Sequence, residues 1–292
     1  MNKKVVICGG SGLIGQALDK RLTDSGYDVV TVSRHPKLGE ISWDDLGRAI
    51  DGATAVINLS GRPIACKFTE SNKREILNSR VESTQKVAKA IATCTNPPAK
   101  WINASAVGYY GNRGDETMTE ASSPGSGFVV DVCRAWEDAC LKSEANCAKT
   151  VLRIGVVLTS NGGAMGKLMP LTKAFLGGAV GNGLQWMSWI ALKDLVRLFE
   201  WVIENDAPSV VNACAPEPIR NGDFMVWLRR QLHRPWSPPV PAFMMKLIGQ
   251  TIGPDASLLL DSTRAIPTRT GDFQFMVPSL ENARLDDLSV PS

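Results

Sequence analysis

A closely spaced set of glycines near the start of the chain offers the clearest chemistry in the sequence. An apolar run at 5–8 precedes it, a stretch with helical spacing follows it, and a second apolar run comes at 29–32. This order predicts strand, turn, helix and strand. The free N–H groups at the start of such a helix bind the pyrophosphate of a dinucleotide. The turn is predicted to consist of Gly9, Gly10, Ser11, Gly12, Leu13, Ile14 and Gly15.

Three of these glycines have separate physical tasks in that interpretation. Gly9 allows the tight turn, Gly12 removes a side chain so that the backbone can approach the phosphates, and Gly15 lets the helix pack close to the strand. A glycine-rich turn also closes ordinary α/β units. Its place between a predicted strand and a predicted helix favours dinucleotide binding.

The end of the second apolar run predicts which dinucleotide binds. Enzymes that use NAD usually place Asp or Glu here to bind the ribose hydroxyls, whereas this chain has Ser33 and Arg34. An arginine at this position suits the 2′-phosphate of NADP(H), and His35 and Lys37 add positive charge nearby. Arg34 as a solvated loop residue is the alternative.

Composition places the chain among globular proteins with one large or two small domains. It has 292 residues, of which 44% are apolar and 21% charged, and its net charge is +3. That charge is too small to favour nucleic acid or an anionic membrane as a partner. We see neither a signal peptide nor a membrane-spanning stretch, and we expect a cytoplasmic monomer or homodimer that binds a small-molecule substrate.

Cysteine and histidine usage argues against a metal site. The seven cysteines lack Cys-x-x-Cys spacing, and the chain has two histidines. We therefore expect neither bound metal nor a disulfide framework, and reduced thiols agree with a cytoplasmic location.

Apolar runs alternate with helical patterns along most of the chain. This alternation predicts an α/β fold with a doubly wound parallel sheet of the Rossmann type. Strands are predicted at 41–43, 53–59, 101–105, 151–158 and 210–213, and helices at 46–50, 69–93, 128–143, 168–176, 195–203 and 224–232.

Several motifs together resemble those of extended short-chain dehydrogenase/reductases. They are the glycine turn, the strand end Asn58-Leu59-Ser60-Gly61, and the segments 105–111, 152–158 and 189–194. More narrowly, the chain resembles the atypical branch called the epimerase family, or short-chain dehydrogenase/reductase family 39U. The resemblance covers essentially the whole chain. It implies an NADP-binding Rossmann domain, with cofactor contacts from residues 58–61 and Arg153, followed by a smaller C-terminal α/β substrate (cap) domain. It implies no known reaction.

The same resemblance implies a division of the chain. Residues 1–160, completed by about 190–214, would form the Rossmann domain. Residues 161–189 and 215–292 would form the substrate region, with about 239–288 matching the family's C-terminal domain of unknown function.

The catalytic groups usual in short-chain dehydrogenases are missing. Their pattern puts a tyrosine at position 129, a lysine at 133 and a hydroxyl residue at 106, but this chain has Val129, Cys133 and Ala106. The ordinary mechanism is therefore excluded as far as the sequence can exclude it.

Other polar residues near the predicted strand ends are candidates to replace them. Tyr109 and Ser105 are the predicted catalytic groups, whereas the tyrosine matching Tyr110 mostly packs under the loop in the wider family. Arg80 stands where extended members usually carry asparagine. It could hold a cofactor phosphate or an anionic substrate, or it could be an ordinary surface arginine.

A glycine-rich segment at 161–189 is expected to form a mobile lip over an apolar pocket. Met165, Trp186, Met187 and Trp189 would line the pocket. A flexible surface loop is the alternative interpretation.

Two functions remain open at this point. One is an NADP-dependent oxidoreductase or epimerase-like enzyme acting on a small carbonyl or hydroxyl compound. The other is a non-catalytic NADP-binding regulatory protein, as cell-division factors among the relatives imply. The lip favours the first, and the missing acid/base groups favour the second.

Overall fold

A sheet of parallel strands forms the centre of the fold. The computed structural model describes residues 3–160, 162–251 and 254–290; residue 161 of the glycine-rich segment and residues 252–253 of the predicted C-terminal domain lie outside the described residues. The strands are β1 (Lys4–Cys8), β2 (Asp28–Val32), β3 (Ala55–Asn58), β4 (Lys100–Ala106), β5 (Thr117–Met118), β6 (Ala148–Ile154), β7 (Val156–Leu158), β8 (Trp186–Met187), β9 (Trp189–Ala191), β10 (Val210–Ala213), β11 (Ile219–Arg220) and β12 (Arg264–Ala265).

Helices connect the strands. They are α1 (Leu13–Asp24), α2 (Leu46–Ile50), α3 (Glu70–Thr93), α4 (Phe128–Leu141), α5 (Gly163–Lys173), α6 (Leu192–Glu204), α7 (Asn221–Gln231), α8 (Ala242–Thr251) and α9 (Ser257–Leu260). Short 3₁₀ turns form at Trp43–Asp45, Val107–Tyr110 and Leu285–Leu288.

The central sheet has the strand order β2-β1-β3-β4-β6-β10, and every neighbouring pair is parallel. Helices α1 and α6 pack on one face, and α2, α3 and α4 pack on the other. Because both faces are covered, β1 and β3 read as unbroken apolar runs instead of alternating ones. The predicted Rossmann-type α/β fold is confirmed.

Local sequence explains two of the longer helices, α3 and α6. Helix α3 begins after Thr69, whose hydroxyl accepts a hydrogen bond from the Asn72 N–H at 3.2 Å, and it ends before the pair Pro97-Pro98. Helix α6 carries Leu195, Phe199 and Val202 at helical spacing, and all three are buried against the sheet.

Two predicted strands differ in the structure. Residues 41–43 contribute a single bridge from Ile41 to Val32, because a 3₁₀ turn starts directly afterwards, where the Ser42 hydroxyl accepts from the Asp44 N–H. The run 151–158 breaks at Gly155. A Cβ there would lie 2.8 Å from the Ser188 carbonyl oxygen, and β7 pairs with β9 outside the central sheet.

The last described segment of the chain returns to the helical face formed by α6. The buried carboxylate of Asp194, with 0% exposure, accepts hydrogen bonds from the backbone N–H groups of Met276 and Val277 at 2.9 and 2.8 Å. It also pairs with Arg197 at 3.0 Å. A single buried side chain in the first turn of α6 therefore anchors residues 276–277.

We expect Asp194→Asn to destabilise the protein by about 1–3 kcal/mol. The amide keeps the size of the side chain but turns an NH₂ group towards a backbone donor and loses the charge. Equilibrium urea unfolding measures this, with Asp138→Asn as the control. Asp138 pairs with Lys142 at the surface, and its loss should cost less than about 0.5 kcal/mol. An equal loss of unfolding free energy in the two variants would contradict the conclusion that Asp194 anchors residues 276–277.

Candidate functional site

The glycine turn between β1 and α1 is built by backbone contacts that exclude side chains. Gly9 has φ +83°, a conformation that favours glycine. A Cβ on Gly10 would lie 2.6 Å from the Thr31 methyl group, and one on Gly15 would lie 2.5 Å from the Gly10 backbone. These three glycines bring the start of α1 close to the strand ends, as the sequence predicted.

Gly12 is different because the space outside it is open. It is the N-cap of α1, and the nearest atom to a Cβ built there is the Gly9 carbonyl oxygen, at 3.6 Å. Two buried hydroxyl oxygens beside the turn, Thr31 Oγ1 and Ser60 Oγ, have no hydrogen-bond partner among the described residues. An open helix N-terminus with spare polar groups fits a dinucleotide pyrophosphate.

The end of β2 presents a free positive charge beside this turn. Ser33 is buried, and its Oγ accepts from the His35 N–H at 3.3 Å. Arg34 is exposed and has no ion pair within the described ranges. The arginine predicted to select the cofactor is therefore available to a ligand.

The end of β3 holds its polar side chain inwards. Asn58 is buried, and its amide donates to Thr84 Oγ1 at 3.1 Å and to Asn103 Oδ1 at 2.9 Å. Its own Oδ1 accepts from the Ser60 N–H at 3.1 Å. Asn58, predicted to contact the cofactor, instead fixes the backbone of Ser60. Leu59 also lies beside Gly9, where it donates through its N–H to the Cys8 carbonyl at 2.8 Å.

Arg80 reaches from α3 to the same strand end. Its Nη1 donates to the Arg62 carbonyl at 2.9 Å and the Ile76 carbonyl at 3.1 Å, and its guanidinium carbon lies 5.0 Å from the Trp136 ring centroid. A Cβ on Gly61 would lie 3.2 Å from the guanidinium carbon. Burial lowers the pKa of Arg80 below its ordinary value.

The positions of the missing tyrosine and lysine are filled by packing side chains. Val129 lies against Gly108, where a Cβ would come within 2.7 Å of Val129 Cγ1. Cys133 is buried, which raises the pKa of its thiol to about 12. A neutral thiol and an isopropyl group offer neither the acid nor the charge of the ordinary pair.

A buried ion pair stands beneath this site. Arg153 Nε and Nη2 donate to Glu137 Oε1 and Oε2 at 2.9 and 2.8 Å, and both side chains are almost fully buried. The Ser105 hydroxyl donates to Glu137 Oε1 at 2.7 Å. Arg153 Nη1 donates to the Tyr110 hydroxyl at 3.0 Å, which donates to Asn212 Oδ1 at 2.7 Å. One chain of hydrogen bonds thus joins β4, α4, β6 and β10.

This network changes the predicted tasks of two residues. Ser105 is 3% exposed and Arg153 4% exposed, and the polar atoms of both side chains bind protein groups. Ser105 therefore does not present its hydroxyl to a substrate, and Arg153 does not present its guanidinium to a cofactor. Burial lowers the pKa of Arg153, but the hydrogen bonds and charge of Glu137 outweigh this effect and raise it overall.

Tyr109 is the half-buried polar group above the network. The guanidinium carbon of Arg153 lies 3.4 Å from its ring centroid, and Tyr110 contacts it edge-on with centroids 5.4 Å apart. Its hydroxyl has no hydrogen-bond partner in the part of the chain that the structure describes. Burial raises the pKa of Tyr110 to about 12. Of the two predicted catalytic groups, Tyr109 alone has an available hydroxyl.

The predicted lip contains a helix and two core residues. Met165 on α5 and Trp189 on β9 are fully buried, because they pack with Phe224 and Trp227 of α7. Their assignment to a pocket wall was wrong. Trp186 is half-buried, with the guanidinium carbons of two arginines each 4.4 Å from its ring centroid.

Sequence reasoning missed Glu137 as a partner of Arg153. A usable signal was present, since an arginine within an apolar strand must find a buried counter-charge. The spacing of 16 residues between the two gave no indication that α4 would supply it.

Comparison with known proteins shows which family the chain belongs to. The NAD dependent epimerase/dehydratase family matches residues 5–214. The chain belongs to this family. It is 33% identical to the human epimerase family protein SDR39U1 over 95% of this chain and 97% of that protein. A chloroplastic homologue from Arabidopsis thaliana is also 33% identical, over 93% of this chain and 82% of that protein.

A solved structure of a relative agrees with the fold. The crystal structure of human SDR39U1 (isoform 2) with NADPH has a TM-score of 0.90 and 32% identity, and the match covers 98% of both chains. The identified epimerase branch is therefore confirmed, together with NAD(P) binding as a property of the family.

Two further observations concern metal and membrane. Within residues 3–160, 162–251 and 254–290, no group of three or more His, Cys, Asp or Glu side chains is arranged to hold a metal ion. Over the same ranges, helices lack the combined length and apolar character needed to cross a bilayer.

We expect Glu137→Gln to destabilise the fold by about 3–5 kcal/mol, because Arg153 would keep a buried charge without its counter-charge. Chemical denaturation measures this, with Glu144→Gln at an exposed position as the control. The double variant Glu137→Leu/Arg153→Met should lose less free energy of unfolding than Glu137→Gln alone, because no buried charge is left unpaired. A single-variant cost below about 1 kcal/mol would show that the pair behaves like an exposed one.

Proposed function

We propose that this protein binds NADP(H) and acts as an oxidoreductase or epimerase-like enzyme on a small carbonyl or hydroxyl compound. The observation that carries the proposal is the open cradle at Gly12 beside the exposed, unpaired Arg34. The binding of NADPH by human SDR39U1 supports the same cofactor. When bound, the cofactor would supply or accept a hydride.

Residues at the ends of different strands would bind different parts of the cofactor. The turn from Gly9 to Gly15 would hold the pyrophosphate, and Ser33 with Arg34 would hold the 2′-phosphate. Ser60 and Gly61 leave room beside β3 for the cofactor. Asn58 acts on the cofactor indirectly, because it positions Ser60.

Tyr109 is the proposed acid/base group. Its phenol can give a proton to a substrate oxygen or take one from it, as general acid/base groups do. The Arg153 guanidinium under the ring fixes its orientation, and Glu137 fixes the guanidinium in turn. Ser105 is therefore proposed as a positioning residue that completes the hydrogen bonds of Glu137.

A non-catalytic regulatory function is the second candidate, favoured by a specific observation. Val129 and Cys133 fill the usual acid/base positions with packed side chains, and Ser105 is turned inwards. Such a protein would sense NADP(H) without turnover. For both candidate functions we also propose a cytoplasmic location, a monomer or homodimer, and a domain division at about residue 160.

Arg34→Ala should reduce the preference for NADPH over NADH by about ten- to a hundredfold. A charge-assisted contact with the 2′-phosphate is worth on the order of 1.5–3 kcal/mol. Titration by nicotinamide fluorescence gives both dissociation constants. Arg48→Ala is the control, since Arg48 is also exposed but lies on α2. Equal affinity for both cofactors in the unmodified protein would contradict the assignment.

Tyr109→Phe should lower turnover by about 10²–10⁴-fold and leave NADPH affinity unchanged, because the phenol acts on the substrate. Once a substrate is found in a metabolite extract, stopped-flow absorbance measures turnover, and Tyr27→Phe serves as the control for loss of a phenol elsewhere. Unchanged turnover in Tyr109→Phe would refute the acid/base assignment. NADPH binding with no turnover of any carbonyl or hydroxyl compound would favour the regulatory function.

A further inference from the structure

Arg80 is a partly buried cation without an acidic partner. No carboxylate of the described residues lies within 4 Å of its guanidinium, and within the described residues its side-chain hydrogen bonds both come from Nη1, to two backbone carbonyls. Nη2 and Nε therefore remain as donors. These two groups form an edge of the guanidinium that matches a carboxylate in a bidentate geometry.

The surroundings of Arg80 differ from those of two other arginines near the strand ends. Arg62 pairs with Glu75, and Arg153 pairs with Glu137. Arg80 lies beside the Trp136 ring and beside exposed Gly61. Removing a cation from water without a counter-charge costs free energy. A ligand anion would recover that cost.

The position of Arg80 separates it from the proposed 2′-phosphate site. Arg34 follows β2, whereas Gly61 follows β3, on the far side of β1. The glycine turn lies between them and is next to the end of β3, since a Cβ on Gly9 would lie 3.0 Å from the Ser60 nitrogen. Neighbouring strands lie about 4.8 Å apart, so the ends of β2 and β3 are roughly 10 Å apart. In the proposed function the pyrophosphate is held by the N-terminus of α1 and the 2′-phosphate by Arg34, so Arg80 is the cation left for an anion from another molecule.

We propose that Arg80 binds a carboxylate group of the substrate through its Nε and Nη2 groups. This inference rests on the proposed function, and it narrows the substrate to small carbonyl or hydroxyl compounds that carry a carboxylate. Gly61 is part of the site because any side chain there would crowd the guanidinium. Trp136 supports the guanidinium by a cation–π contact, with 5.0 Å between the guanidinium carbon and the ring centroid.

The test titrates the NADPH-loaded protein with acetate, pyruvate and malonate at constant ionic strength, with acetamide as the neutral comparison. Calorimetry and nicotinamide fluorescence measure binding without any need for turnover. Arg80→Gln should weaken carboxylate binding by about ten- to a hundredfold. Arg74→Gln is the matched control, because Arg74 lies on the same helix but is exposed. It should leave carboxylate binding unchanged.

A second variant, Gly61→Ala, tests the same site in case Arg80→Gln does not fold. Gly61→Ala keeps the charge, but its Cβ would lie 3.2 Å from the guanidinium carbon, so carboxylate binding should weaken while acetamide behaves as before. Equal carboxylate binding in Arg80→Gln and the unmodified protein, including no binding in either, overturns the inference. A loss of NADPH affinity in Arg80→Gln, with carboxylate binding retained, also overturns it and assigns Arg80 to a cofactor phosphate.

The same titration without NADPH separates this inference from the proposed function. Binding of carboxylate at Arg80 in a protein that binds no NADPH contradicts the proposed function and supports the inference. If the protein binds NADPH but its affinity for carboxylates does not depend on Arg80, the inference is contradicted and the proposed cofactor binding is supported.

Discussion

The buried pair of Glu137 and Arg153 is the interaction on which the geometry of the site depends. A buried charge is tolerated only when its counter-charge and hydrogen-bond partners are all present. Here they come from a helix, two central strands and the 3₁₀ turn after β4, so none of these elements can shift independently. Such fully satisfied networks rigidify the region that contains them.

This network also explains how the site can depart from the usual short-chain dehydrogenase pattern. A tyrosine at 129 and a lysine at 133 would place their polar groups on α4. In this chain α4 contributes Glu137 inwards, and the available polar groups come from Tyr109 after β4 and from Arg80 on α3. In the proposed function, a cationic and a phenolic group are therefore supplied by elements next to α4, within the same fold.

Glycines set the other constraint, which is the close approach of backbone segments on the cofactor side. Gly10 packs against Thr31, and Gly15 packs against Gly10, so the start of α1 is held at the ends of β1 and β2. Gly12 lacks such a neighbour. The contrast distinguishes glycines required by packing from one that leaves space for a ligand, and it agrees with the separate roles that the sequence predicted for Gly12 and Gly15.

The sequence by itself determined the sheet, the helices on its two faces and the glycine turn, because these follow from local periodicity and from the conformational freedom of glycine. It also showed that Val129, Cys133 and Ala106 lack the usual chemistry, since that depends on residue type. Tertiary structure alone decided that Asn58, Ser105 and Arg153 turn inwards while Tyr109 and Arg34 remain available. The direction of a side chain depends on partners such as Glu137 and Asn103, which are distant in sequence. Met165 and Trp189 were misassigned for the same reason: an apolar residue in a glycine-rich segment suits a pocket wall or a core equally well, and only the packing of α7 against β9 decided between them.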